Sequence, residues 1–540
     1  MEGGNSTRCT PGEVCVHSFK RTAPFSKPRR LDLTLDADII AKLTTHSEHN
    51  DAHDPLALVP PEIASTILEY AADRTSAHKV EIVDIFLHAT VTPSRPLELA
   101  AVCRRWREIA FSDPKLWNCL LMRRVTKSWT LRHDLVEQWL LRTGALPLYI
   151  LLSWDRPPPD AFTPVLNATE DILMVIKALC VRISRWKAVI INLPPPLIEH
   201  FNVGYSVIHD LEFVMLSQMD GQLDMASELN PARMVLRPMR ASIMGLSVLS
   251  GLSWANLSIL DLVGASMLIL LDILKQAPQL RELSVMGYVL PPEDAIEAFN
   301  PIFMQSLRSL QVEKLPDEGE FLFPIIKAPG LQSLSLDSLV IKGTPISNTS
   351  LTILSEFLLQ PDMTLRSLRI KDCGIAEHQL ITLLEGMPTL HTLDLDNGFD
   401  DGPLPLSDVF LGRLISSLSL SQPVSFLPKL SSIYYSGRRS FSWKAWADVF
   451  DAHSQRDEAD PKKRALNFVS AVNILPDGYD VIDLERDFID EESLRRFIAL
   501  PVDSIGVELD PDLVGYSFSR HAIPVARQKS HLFGNITIVQ

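Results

Sequence analysis

The chain has 540 residues, 46% hydrophobic and 22% charged, which is ordinary for a globular protein and enough to bury a large core. A net charge of −15 argues against gripping nucleic-acid phosphates as the main task, and the longest apolar run, 262–271, is half a membrane span and ends at Asp272. Six cysteines without regular spacing make no disulfide framework, and the N-terminus lacks the apolar core of an export signal, so the expectation is a soluble protein of the cytoplasm and/or nucleus.

Residues 1–54 are polar and aperiodic and read as a disordered lead-in. Within it, "KRTAPFSKPRR" (20–30) reads as a solvated basic tail or a weak import or anion-binding segment, and "THSEHNDAHD" (45–54) as a polar linker. A helical module is expected over 55–120, with an insert at 73–96. It opens at "LVPPEIASTILEYAA", where Pro60 and Pro61 suit a first helical turn and Ile63, Ile67, Leu68 and Ala71 recur at helical spacing. After the insert, whose middle "KVEIVDIFLHA" reads as a further helix, Leu99, Val102, Cys103, Trp106, Ile109 and Ala110 form one helical stripe that places Cys103 on a buried face. Asp113 then caps a short turn with Pro114 at its first position, sending Leu116 and Trp117 back towards the core.

Over 121–180, "LVEQWLLRTGALPLYILLSW" predicts a linker helix stopped at Gly144 and a first strand. From 181 to 440 the pattern L-x-x-L-x-L returns, at "WKAVII" (186), "LEFVML" (211), "LSILDL" (257), "LRELSV" (280), "LRSLQV" (307), "LQSLSL" (331), "LRSLRI" (365), "LHTLDL" (390) and "LSSIYY" (430). The starts are separated by 25, 46, 23, 27, 24, 34, 25 and 40 residues, and the longest gap is expected to hide a degraded unit near "PARMVL" (231–236). Such spacing fits leucine-rich repeats, each one strand plus a helix or looser return, stacked because one unit alone cannot bury its leucines. Residues 441–540 read as a cap: a helix at 441–450, an exposed loop at 451–464, a helix at 483–500 and a strand at 504–509. The fold class is therefore α/β repeat: a small all-α module followed by an irregular leucine-rich-repeat solenoid.

No phosphate-binding glycine loop, HExxH, GxSxG or CxxC occurs, and the 14 histidines lack ligand spacing, so no catalytic residue, metal or cofactor is expected and the chain reads as a non-enzyme.

The module resembles an F-box. Val59-Pro60-Pro61-Glu62-Ile63 followed by Ile67-Leu68 stands for the family's opening motif, and Val102-Cys103-Arg104-Arg105-Trp106-Arg107 with Leu116-Trp117 for its later one. Val59 replaces the usual Leu, and residues 73–96 lengthen the interval between motifs. An F-box followed by irregular leucine-rich repeats is similar to the large fungal F-box families. The resemblance implies the substrate-recognition subunit of a Skp–cullin–F-box ubiquitin ligase, docking on the Skp adaptor through Val59, Pro60, Pro61, Ile63, Ile67, Leu68, Leu99, Val102, Cys103, Trp106, Leu116 and Trp117. The repeat array would hold an unidentified target protein, with neither nucleic acid nor membrane as partner. The outward strand positions Asp261, Ser284, Gln311, Ser335, Arg369 and Asp394, expected on a concave face, are the candidate target-binding row. The alternative is a repeat scaffold with a degenerate F-box that recruits no ligase.

Overall fold

The structure, a computed structural model, describes residues 54–72, 95–123, 133–153, 169–193, 197, 199–201, 208–218, 235–245, 252–289, 300–314, 322–339, 346–360, 362–396, 406–418, 426–436, 440–459, 492–493 and 495–496. The chain divides into two compact units, 1–64 and 65–540. In the first, Asp54 accepts from the Leu56 amide (2.9 Å) and caps a 3-10 turn, Pro55–Leu58, after which Val59 is extended. Pro61 opens helix α1 (Pro61–Ala71), where its missing N–H leaves nothing unsatisfied and Glu62 favours the positive helix end.

Two helices follow residues 73–94: α2 (Arg95–Val102) and α3 (Arg104–Ser112). The sequence stripe crosses them as if they were one helix, but the backbone breaks at Cys103 (φ −154°, ψ 177°). Cys103 is the N-cap of α3: its Sγ accepts from the Trp106 amide at 3.4 Å, and it is half-buried rather than seated on a continuous buried face. Asp113 ends α3 and caps the 3-10 turn Pro114–Leu116 by accepting from the Lys115 amide (3.0 Å), which carries Leu116 and Trp117 into the interior as expected.

Strand β1 (Cys119–Arg123) follows at once, a strand that the sequence pattern does not announce. Helix α4 (His133–Arg142) stops at Gly144, whose φ of +55° is the left-handed conformation glycine tolerates. The remaining elements of the sheet are β2 (Leu148–Ser153), α5 (Thr169–Cys180), β3 (Trp186–Leu193), β4 (Ile208–Gln218), β5 (Val235–Met244), β6 (Ile259–Ser266), α6 (Met267–Gln276), β7 (Glu282–Val289), β8 (Ser309–Glu313), β9 (Ser333–Asp337), α7 (Asn348–Leu358), β10 (Ser367–Lys371), α8 (Glu377–Glu385), β11 (Thr392–Asp396), α9 (Asp408–Leu418), β12 (Ser432–Ser436) and α10 (Trp443–Ala459). Two short strands, Ile302–Phe303 and Ile326–Lys327, pair separately, beside a one-turn helix at Leu322–Ile325.

The twelve strands form one sheet in sequence order, every neighbouring pair parallel, alternating with helices or irregular returns. Parallel neighbours demand such returns, since a tight hairpin joins only antiparallel strands. In register, one apolar row runs from Leu120 and Ile150 through Leu260 and Leu310 to Leu393 and Ile433, and a second runs two residues further on from Met122 to Tyr435. These rows and the helices share one core, each buried leucine contributing about 1.5–3 kcal/mol. The opposite face carries a smaller apolar cluster at β1–β4, including Leu121, Leu151, Ile190 and Phe213.

The longest gap holds a strand, though mostly beyond 231–236. It spans Val235–Met244, and its inward pair is Ala241 and Ile243, in register with Leu260 and Leu262. An alanine in the leucine row hides the pattern. Beyond β12, the helix expected at 441–450 forms but continues to Ala459, so residues 451–459 are helical and not loop. Asp448 and Asp451 on it pair with Arg496 at 2.6 and 2.5 Å. Most of the helix expected at 483–500, the strand at 504–509, the segment at 20–30, most of that at 45–54 and the helix within the insert lie outside the described residues.

A column of left-handed residues crosses the sheet. Gly245, Gly264, Gly287, Lys314, Ser338 and Asp372 have φ between +47° and +66° and follow in-register residues on β5 to β10. Several still continue the ladder: the amides of Gly245, Lys314, Ser338 and Asp372 donate to the next strand at 2.8–2.9 Å.

Candidate functional site

Beyond Ser65, the described helical module is built around Leu68, Leu99, Ala110, Leu116 and Trp117, all buried. The Trp117 indole donates to the Ala110 carbonyl at 2.7 Å, which satisfies its one polar group in the interior. Ser65 hydrogen-bonds Asp113, and Lys115 pairs with Glu69 at 3.0 Å, tying the 3-10 turn to α1. The Glu69 carboxylate raises the Lys115 pKa by hydrogen bond and charge. Arg107 donates to the Ala100 carbonyl (3.0 Å), joining α3 to α2, and Arg95 to the Ala71 carbonyl (3.2 Å). That last bond brings together the two chain positions flanking residues 73–94.

The expected docking residues therefore separate. Leu68, Leu99, Leu116 and Trp117 are interior and pack the module itself, so the expectation of adaptor contact gives way to a core role. Cys103 and Trp106 are half-buried. Ile67 and Val102 are exposed, Val102 by 59%, and sequence reasoning missed three more exposed apolar side chains, Tyr70, Leu97 and Phe111. Tyr70 falls at i+3 from Ile67, so helical spacing alone would have found it. In the first unit, Pro60, Pro61 and Ile63 are exposed and Val59 is half-buried. Several apolar side chains of the described module therefore face solvent.

Residues 56–123 match the family model described as F-box-like. They are an F-box-like region. The match ends at Arg123, the last residue of β1, so the F-box-like region contains the sheet's first strand. No curated protein matches the chain.

The candidate target row is a physical row. Asp261, Ser284, Gln311, Ser335, Arg369 and Asp394 lie side by side in register on β6 to β11, followed by Tyr434 on β12, at the strand spacing of about 4.8 Å. Two residues along, Glu313, Asp337, Lys371 and Asp396 form a second row. Arg369 reaches Asp394 (3.3 Å) and Asp396 (3.9 Å), Lys371 reaches Asp337 (3.0 Å), and Gln311 donates to Glu313. Burial raises the Asp394 pKa, opposed by Arg369 and reinforced by Asp396.

Burial pushes the Cys180 and Cys373 thiols up to about 12, and the Cys373 thiol donates to the Lys371 carbonyl at 3.1 Å. Neither suits nucleophilic chemistry. Among the described residues no cluster of three His, Cys, Asp or Glu is placed to hold a metal, and no helix is long and apolar enough to cross a membrane.

Proposed function

We propose that the protein is the substrate-recognition subunit of a Skp–cullin–F-box ubiquitin ligase, itself performing no bond chemistry and working in the cytoplasm and/or nucleus. The observation that carries this is the F-box-like match at 56–123, with Ile67, Tyr70, Val102 and Phe111 turned to solvent where an adaptor would cover them. Repeat spacing near 25 residues and the in-register leucine rows support reading the sheet as an irregular leucine-rich-repeat array. On this reading its outward rows hold the target. From β6 to β11 they carry five carboxylates, Asp261, Glu313, Asp337, Asp394 and Asp396, against two cations, Arg369 and Lys371, which favours a target segment with basic residues.

Co-expression of the full chain with the Skp adaptor, followed by co-purification, tests the reading. Wild type should associate and Val102→Asp should not, with the variant's melting unchanged because Val102 is at the surface. A well-folded wild type that fails to associate sinks the ligase role and leaves a repeat scaffold.

A further inference from the structure

The F-box-like region joins the sheet through a packed seam. Its last strand, β1, pairs with β2 over five residues, and the Tyr149 amide donates to the Asn118 carbonyl at 2.9 Å. Beside that pairing, Trp117 from the 3-10 turn's end meets Trp139 from α4 edge to face, centroids 4.7 Å apart. The Trp139 indole donates to the Trp117 carbonyl at 2.6 Å. One turn along α4, the Arg142 guanidinium sits 4.5 Å from the Phe111 ring centre and 4.8 Å from that of Trp117. Phe111 and Trp117 are themselves edge to face at 5.6 Å.

The far side of α4 is fixed as well. Arg182, just past α5, grips Glu137 with both terminal nitrogens, at 3.4 and 3.0 Å. Arg185 donates to the Leu146 carbonyl and to the Thr143 hydroxyl just beyond α4. Helix α4 is thus held between α3 on one side and the sheet's own elements on the other. Turning α3 relative to β2 would slide Trp117 off Trp139, open a void beside a fully buried indole and break a charged contact to two rings at once. Domain pairs move freely by default unless a substantial apolar interface joins them, and this seam supplies one.

We propose that Trp139 and Arg142 are positioning residues: they hold α3 and the sheet in one fixed orientation, so that a partner on Val102 and Phe111 and a target on the outward strand rows stay a set distance apart. The purpose rests on the ligase reading above, whereas the fixed orientation does not.

The test uses the full-length chain without adaptor, so its outcome is independent of co-purification. Spin labels carried on noncanonical residues at Glu108 on α3 and Asp272 on α6, both exposed, report the distance by double electron–electron resonance. Wild type should give one narrow distribution, and Trp139→Ala should broaden it about twofold at temperatures well below melting. Trp139→Phe, which keeps a ring, should restore most of the narrowness. Leu140→Ala, a buried neighbour on the same helix but not in the seam, should lower the melting temperature and leave the width unchanged. A broad wild-type distribution overturns the proposal, as does a Trp139→Ala width equal to wild type or a Leu140→Ala width equal to that of Trp139→Ala. Should Trp139→Ala fail to fold, Arg142→Gln carries the test: broadening is expected, and an unchanged width overturns it.

Discussion

The guanidinium of Arg95 donates to the carbonyl of Ala71 at 3.2 Å across 24 residues of sequence. The long interval between the two F-box-like motifs, which in sequence looks like an interruption, therefore leaves and re-enters the module at one place. Replacing residues 74–93 by a short Gly/Ser linker should keep the fold and adaptor binding. Because the two ends are already held together by that hydrogen bond, the shortened chain should melt no lower than wild type. A melting temperature clearly below wild type, or loss of adaptor association, would contradict this.

Burial separates two residues that the motif treats alike. Trp117→Ala removes a fully buried indole and should cost about 3–5 kcal/mol in denaturant unfolding. Val102→Asp alters a solvent-facing side chain and should stay within about 0.5 kcal/mol while abolishing adaptor association. Comparable losses of stability in both would mean that Val102 belongs to the core.

Gly264 has φ +60°, and a methyl group built there meets no atom within 4 Å. The cost of Gly264→Ala is then conformational alone, about 1–2 kcal/mol. Ser338, at the equivalent position two strands beyond Gly287, already bears that cost with φ +52°, so Ser338→Gly should be neutral or mildly stabilising. Equilibrium unfolding of both variants checks the pair, and a destabilised Ser338→Gly would refute it.

Asp394 gives a pH dependence of definite sign. Its folded pKa is raised above the ordinary aspartate value, chiefly by burial, so its ionised form carries a penalty in the folded state. That penalty is present above the folded pKa and relieved as pH falls through the window just above the ordinary aspartate value. The stability of wild type relative to Asp394→Asn should therefore increase on acidification through that window. A decrease would show that the Arg369 pairing dominates instead.

Much of this architecture is legible in the sequence, for identifiable reasons. Leucines at fixed spacing announce strands such as Ser333–Asp337 and Thr392–Asp396, and Asp113-Pro114 announces the turn that buries Trp117. Other features are hidden by the same patterns. A helical stripe continues numerically through Cys103, so the break between α2 and α3 leaves no trace in periodicity. Strand β1 is five residues directly after a turn, too short for alternation to register, and Ala241 is too small to mark a leucine row. Whether an apolar residue of the module is core or surface depends on tertiary packing, which is why Leu68 and Ile67, adjacent in sequence, have opposite roles.

The left-handed column has a further consequence, for the order in which the sheet comes apart. Glycine fills it on β5 to β7 at little steric cost, whereas Lys314, Ser338 and Asp372 on β8 to β10 each store about 1–2 kcal/mol of backbone strain. Since each strand pairs only with its neighbours in sequence, that strain is concentrated in β8 to β10 and meets the glycine-bearing part at the β7–β8 pair alone. Native-state hydrogen exchange should find the amides of β8 to β10 opening in smaller excursions than those of β5 to β7, so that unravelling begins among the strands with side chains where glycine would rest easily.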